Sequence, residues 1–214
     1  MPDEPSTVFI VDDDDEMRES LEYLLKSVGI RTKSYSSATA FLTDYQRSQP
    51  GCLVCDVRMP DLSGLDLAER LVQMGIRLPV IFMTAHADVP MAVRALKSGA
   101  AEFIEKPFNA QSMLERIQRA MVEDRKQRAA AAHWNEFAAK MATLTPKERE
   151  SLVMVLEGAP NKAVAARMDI TERAVEMRRA SIMKKLNAHS LAELIRLVTE
   201  HEHNAHCHCP PRPT

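Results

Sequence analysis

No stretch of this 214-residue chain approaches the ~18 consecutive apolar residues of a membrane-spanning helix. The amino end is acidic and lacks the basic-plus-apolar pattern of an export signal. Those two absences predict a cytoplasmic protein with no membrane partner. Cysteine is scarce, with only Cys52, Cys55, Cys207 and Cys209, and these do not form a secreted disulfide framework. Aromatic residues make up 5 % of the chain, yet hydrophobic content is an ordinary 45 %, and the length suits one or two domains. Glycine and proline are absent from 109–142, a stretch of mixed charge around Ala129 to Ala132. It reads as one or two helices linking domains, and a helical link transmits orientation better than a flexible coil.

Net charge is also small, at −2, but it is divided. Residues 1–121 hold 13 Lys/Arg against 18 Asp/Glu, and residues 122–214 hold 15 against 12. A basic second half permits nucleic-acid binding without establishing it. Cys52-x-x-Cys55 invites a redox reading. Side chains three apart on a strand point to opposite faces, however, so two small buried residues are the alternative favoured here.

What the chain does have is a set of polar residues that each end an apolar run. Asp12 to Asp15 follow Val8-Phe9-Ile10-Val11, and Asp56 follows Cys52-Leu53-Val54-Cys55. Thr84 ends Val80-Ile81-Phe82-Met83, and Lys106 follows Phe103-Ile104-Glu105 and precedes Pro107. The runs predict strands at 8–12, 31–35, 52–56, 79–84 and 101–105, mostly of the buried, continuously apolar kind. Helical periodicity predicts helices at 15–28, 38–47, 65–75, 90–98 and from about 110, with stops at Gly29 and Gly99. Alternating strands and helices predict an α/β fold with a doubly wound, five-stranded parallel sheet. Such a sheet brings every strand-end group to one edge. Leu114, Ile117 and Met121 would pack on it.

Clustered carboxylates with a lysine and a hydroxyl suit phosphoryl transfer to a carboxylate. Hard oxygen donors hold Mg²⁺, and cations with a hydroxyl neutralise the moving phosphoryl group. The plainer alternative is that Asp12 to Asp15 begin a helix. That accounts for one or two acids, but not for a Thr and a Lys at equivalent strand ends.

A second module starts at Leu144-Thr145-Pro146-Lys147-Glu148, where Thr145, Pro146 and Glu148 make a capping box with proline in the first turn. Leu152, Val155 and Leu156 supply an apolar face and Gly158 stops the helix. Next come Asn161 to Met168, a turn at Asp169-Ile170, and a basic helix capped by Thr171. Ser190 caps a last helix bearing Leu191, Leu194, Ile195 and Val198. Two short helices around a tight turn, the second basic, predict a small all-α helix-turn-helix domain. A helical oligomerisation module with a solvated charged face is the alternative. Trp134 and Phe137 would pack on a partner helix or on this second domain.

The first ~125 residues resemble the receiver domain of two-component response regulators. Asp88-Val89-Pro90-Met91-Ala92-Val93 and Phe103-Ile104-Glu105-Lys106-Pro107-Phe108 are similar to FixJ-type members of the NarL/FixJ class. The resemblance implies that Asp56 is the phosphoacceptor and that Asp12, Asp13, Asp56 and the Arg58 carbonyl hold Mg²⁺. It implies that Thr84 and Lys106 sense the phosphoryl group and that Phe103 rotates to report it. Asp14 and Asp15 have no such counterpart and read as helix-start acids. The segment from Leu144-Thr145-Pro146-x-Glu148 through Gly158-x-x-Asn161-Lys162 to Met183-x-Lys185-Leu186 resembles the LuxR-type DNA-binding domain. Many relatives have Thr, His and Asn where this chain has Ala174, Arg178 and Ser181. The implied DNA set is Lys162, Arg173, Glu176, Met177, Arg178, Arg179, Ala180, Lys184 and Lys185, with Glu176, Met177 and Ala180 facing bases.

The expected domains are a receiver at 1–121, a helical linker at 122–142, the helix-turn-helix domain at 143–200 and a disordered tail at 201–214. The implied partners are a sensor histidine kinase, double-stranded DNA and a second copy of the chain, joined on phosphorylation through the face 90–105. A phosphorylation-controlled interaction module that binds no DNA is the other functional reading. The tail His201-Glu202-His203-Asn204-Ala205-His206-Cys207-His208-Cys209 offers ligands for Zn, Ni or Cu, but its spacing matches no defined site and its prolines predict disorder.

Overall fold

The computed structural model describes residues 5–85, 94 and 102–207, and the chain divides into two compact units, Met1–Ala129 and Ala130–Thr214. In the first unit the apolar runs are strands because both their faces are covered. Strands β1 (Thr7–Val11), β3 (Gly51–Asp56) and β4 (Val80–Thr84) are buried almost throughout. β2 (Arg31–Tyr35) and β5 (Glu102–Glu105) carry exposed residues, as edge strands do. All pairings are parallel and the order is β2-β1-β3-β4-β5. In this doubly wound order the winding reverses between β1 and β3, where α/β sheets open a crevice beyond their carboxyl ends. Asp12 and Asp56 stand on its two sides.

Strand alternation sorts the core into two layers. Phe9, Val11, Leu53, Cys55 and Phe82 pack with Phe41 of α2 (Ala38–Asp44) and Leu67 and Leu71 of α3 (Gly64–Gln73). Val8, Ile10, Cys52, Val54, Ile81 and Met83 pack with Leu21 and Leu25 of α1 (Asp15–Ser27) and Met113 and Ile117 of α4 (Ala110–Ala142). Cys52 and Cys55 thus lie in different layers, and burial pushes both thiols well above their ordinary range. They are small core residues.

The differences from the expected elements have local causes. α2 stops at Asp44 because Tyr45 turns extended and lays its ring 5.1 Å from both Phe9 and Phe41. Of the apolar α4 residues on this layer, Met113, Ile117 and Ala120 are buried, and Leu114 and Met121 are only partly covered. The first unit reaches Ala129 rather than 121 because α4 is tied back to the start of β3. Asp124, 1 % exposed, accepts a 2.9 Å hydrogen bond from the Gly51 N–H. Arg128 pairs with Asp124 and donates to the carbonyls of Ser48 and Gln49. The expected helix at 90–98 and most of the face 90–105 lie outside the described residues.

The second unit contains α5 (Pro146–Leu156), α6 (Asn161–Met168), α7 (Glu172–Leu186) and α8 (Leu191–Cys207). Thr145 and Glu148 cap α5 reciprocally, and Thr171 caps α7 through the Ala174 N–H. Phe137 joins Leu144, Leu152, Ile182, Leu186, Leu194 and Val198 in one core, while Met154, Val164, Ala165 and Val175 form another. α8 runs into the expected tail as far as Cys207, and 208–214 lie outside the described residues. Among the described residues no helix is long and apolar enough to cross a membrane.

Candidate functional site

At the carboxyl edge of the sheet, Asp12 follows β1, Asp56 ends β3, Thr84 ends β4 and Lys106 follows β5. All but Lys106 are buried. The Lys106 ammonium bridges the two carboxylates, 2.9 Å from Asp12 Oδ2 and 2.7 Å from Asp56 Oδ1. The other oxygen of each accepts a backbone N–H, Asp14 to Asp12 at 3.0 Å and Arg58 to Asp56 at 2.6 Å. Burial pushes the Asp12 carboxyl above its ordinary value despite the pull of Lys106. Burial alone would lower Lys106, but its hydrogen bonds to Asp56 and Asp12 outweigh it and raise the amine. Two carboxylates and one ammonium leave an excess negative charge in a poorly hydrated crevice, where charge is costly unless neutralised.

The loop that carries Asp56 is held close by a missing side chain. A Cβ on Gly64 would stand 2.2 Å from the Asp56 carbonyl oxygen and 2.9 Å from the Cys55 sulfur. Its N–H donates to the Val57 carbonyl at 3.1 Å. Only glycine lets α3 start this near the acceptor.

The structure gathers Asp12, Asp56 and Lys106, with Thr84 at the neighbouring strand end. Asp13 is exposed, and among the described residues no three His, Cys, Asp or Glu side chains converge as a metal cluster. Arg58 is exposed, next to Asp56. Phe103 is half-buried with its ring 6.4 Å from Phe82. Asp14 is the α1 cap, accepting from the Glu16 and Met17 N–H groups, and Asp15 opens that helix.

In the second unit α7 buries Val175, Ile182 and Leu186. Arg173, Glu176, Met177, Ala180 and Lys184 are exposed at intervals of three and four, so they form one outward stripe. Met177 is 69 % exposed, an apolar side chain with no core to fill. Lys162 is exposed in the first turn of α6, whose N-cap Pro160 offers no side-chain acceptor. A cation there opposes the helix dipole, which costs folding stability. Arg178, Arg179 and Lys185 sit off the stripe. Arg178 Nη1 is 3.5 Å from the Met168 sulfur, and Arg179 donates to Asn161 Oδ1 at 2.7 Å.

Lys185 shows what the sequence hid. Its ammonium lies 2.7 Å from Glu148 Oε2 and 3.2 Å from the Thr143 carbonyl. Ser181 donates to Glu148 Oε1 at 2.7 Å, and the Thr145 N–H donates to Oε2 at 2.7 Å. Glu148 is therefore a hub joining α5 to α7, with its carboxyl lowered to about 2 by Lys185, the Thr145 N–H and Ser181. Only its capping role was legible, as the fourth residue of a Thr-x-x-Glu motif.

Comparison with known proteins places both units. Residues 8–118 match the response regulator receiver domain family, and residues 142–198 match the bacterial regulatory proteins of the luxR family. The response regulator TmoT of Ectopseudomonas mendocina is 42 % identical over 200 residues, spanning 94 % of this chain and 90 % of the relative. The transcriptional regulatory protein FixJ of Rhizobium meliloti is 43 % identical over 191 residues, 89 % of this chain and 94 % of its own. Among solved structures, the response regulator StyR superposes with a TM-score of 0.85 at 40 % identity, covering 92 % of this chain and 99 % of that one. The chain belongs to the FixJ-like response regulators of two-component systems, transcription regulators that join a receiver to a LuxR-type DNA-binding domain.

Proposed function

We propose that Asp56 accepts a phosphoryl group from a histidine kinase in the cytoplasm, and that this drives dimerisation through 90–105 and DNA binding by α7. The observation that carries the reading is the Lys106 ammonium bridging Asp12 and Asp56 beyond β1 and β3. An Asp56 oxygen attacks phosphorus, the phosphorus–nitrogen bond of the donor phosphohistidine breaks, and the released imidazole takes a proton from solvent. Lys106 and the Thr84 hydroxyl take phosphoryl oxygens, and Phe103 turns with Thr84. Mg²⁺ suits the crevice because its donors are hard oxygens with excess negative charge. Asp12, Asp13, Asp56 and the Arg58 carbonyl would hold it, where it supplies charge neutralisation on the phosphoryl oxygens. The acceptor test opens the Discussion.

Thr84→Ala should be phosphorylated to the wild-type extent but dimerise about tenfold more weakly. That is the scale of one hydrogen bond to a charged group, made only in the phosphorylated state. Light scattering with and without acetyl phosphate reads it. Normal phosphorylation-dependent dimerisation of the variant refutes the coupling.

On DNA, the outward stripe enters the major groove, with Glu176, Met177 and Ala180 at base edges. Arg173, Lys184 and Lys162 lie toward phosphates, and the off-stripe Arg178, Arg179 and Lys185 toward the adjoining backbone. Lys162→Ala and Lys184→Ala should each weaken binding evenly across sequences and reduce the salt slope by about one. Glu176→Ala should relax base preference with little change in slope. Binding across a salt series to specific and random duplexes separates these effects, and an unchanged slope in both lysine variants rules out this face.

A further inference from the structure

Arg18 stands in the first turn of α1, where a positive charge opposes the helix dipole. Its side chain is nonetheless only 14 % exposed. It leans back toward the helix start, as helical side chains do, and ties to two groups there. Nη2 pairs with the Asp15 carboxylate, and Nη1 donates to the Asp12 carbonyl oxygen at 2.7 Å. The first contact is an i,i+3 pair whose acid is 81 % exposed, and such pairs contribute little to stability. The second leaves the helix and reaches back to the residue that follows β1. That carbonyl belongs to the peptide plane between Asp12 and Asp13. The next plane, between Asp13 and Asp14, carries the Asp14 N–H, which donates to Asp12 Oδ1 at 3.0 Å. Each plane is rigid, so only φ and ψ of Asp13 relate one to the other. With both planes held, the direction in which the Asp13 side chain leaves the backbone is set.

From this geometry we infer that Arg18 is a positioning residue for phosphoryl transfer. Given the proposed place of Asp13 at the metal, Arg18 presets the Asp13 backbone so that this exposed carboxylate can meet Mg²⁺ beside Asp12 and Asp56. Mg²⁺ demands near-octahedral geometry with bonds of about 2.0–2.1 Å to oxygen, so a ligand on a loose loop must be ordered each time the ion binds. The bond from Arg18 does that ordering in advance. The charge of Arg18, taken alone, acts the other way, because a guanidinium beside an acidic crevice repels a divalent cation. Losing only the charge would therefore strengthen Mg²⁺ binding, and losing the tether weakens it. The sign of the effect separates the two. Fixing the backbone of one residue corresponds to about tenfold in affinity.

The test measures the Mg²⁺ affinity of the full chain by isothermal titration calorimetry. Arg18→Met keeps the aliphatic stem and removes the donors. It should bind Mg²⁺ about tenfold more weakly and leave the thermal unfolding midpoint near wild type. In phosphorylation by acetyl phosphate, the Mg²⁺ concentration at half-maximal rate should rise by the same factor, and the rate at saturating Mg²⁺ should stay near wild type. Arg18→Lys can still donate to the carbonyl and should recover most of the affinity. Asp13→Ala should weaken binding at least as much as Arg18→Met. Adding Arg18→Met to it should weaken binding no further, because residues that act as one unit are not additive. Unchanged or tighter Mg²⁺ binding by Arg18→Met would overturn the positioning role, and so would additive losses in the double variant. Wild-type Mg²⁺ binding by Asp13→Ala would instead overturn the place of Asp13 at the metal, and the role of Arg18 with it.

Discussion

Asp56→Asn should abolish phosphorylation by acetyl phosphate while leaving the fold intact. The amide has nearly the same shape but is a poor nucleophile and a weak Mg²⁺ ligand. It also has one acceptor where the carboxylate has two. In the structure Oδ1 accepts from Lys106 and Oδ2 from the Arg58 N–H, so one of those donors must lose its partner. The cost is a local rearrangement of about 1–3 kcal/mol, well below what the core supplies. Intact-protein mass spectrometry reads the outcome directly. A variant phosphorylated to the wild-type extent would place the nucleophile elsewhere.

Glu148→Ala should destabilise the second unit by about 2 kcal/mol, the combined scale of a lost cap and lost hydrogen bonds to a charged group. The substitution strips the Thr145 N–H, Ser181 and Lys185 of their acceptor at once. Thermal unfolding followed by Trp134, the only tryptophan of the chain, measures it. The pH dependence supplies a second readout. The Glu148 carboxyl sits at about 2, below its ordinary 4.5, so the folded state favours the ionised form. Its contribution is fully present above pH 4.5 and is lost as pH falls toward 2. Wild type should lose stability through that window more steeply than the alanine variant. Parallel profiles would show that the hub is not energetically coupled to α7. Lys185→Ala should lower stability too, and the salt slope then tells whether the residue also meets DNA.

The receiver's layout was open to reading because its signals are short-range. An apolar run ended by a carboxylate, a hydroxyl or an ammonium marks a buried strand that finishes at a polar edge. Four such runs and a fifth, more polar strand, separated by helical periods, leave few parallel arrangements. The second unit announced itself in the same local way, through Thr145-x-x-Glu148, Gly158 and the Thr171 cap. The β2-β1-β3-β4-β5 order then turned four separate strand ends into one crevice.

The pairings that make the site work are long-range, and tertiary structure alone decided them. Lys106 reaches Asp12 across 94 residues of sequence and Asp56 across 50. No local signal pairs that lysine with those two carboxylates, because the pairing depends on β5 lying beside β4. Ser181 and Lys185 meet Glu148 only because α7 packs over the start of α5, which gives one lysine of the implied DNA set a partner within the domain. Asp124 and Arg128 look like solvated charges on a polar helix until the loop before β3 presents its N–H and carbonyls to them. The sequence by itself determined which residues are polar at strand ends, which helices are capped and where each element turns, since those follow from neighbours a few positions apart. Tertiary structure decided which charges neutralise one another and how far α8 extends, because each depends on surfaces brought together only by packing.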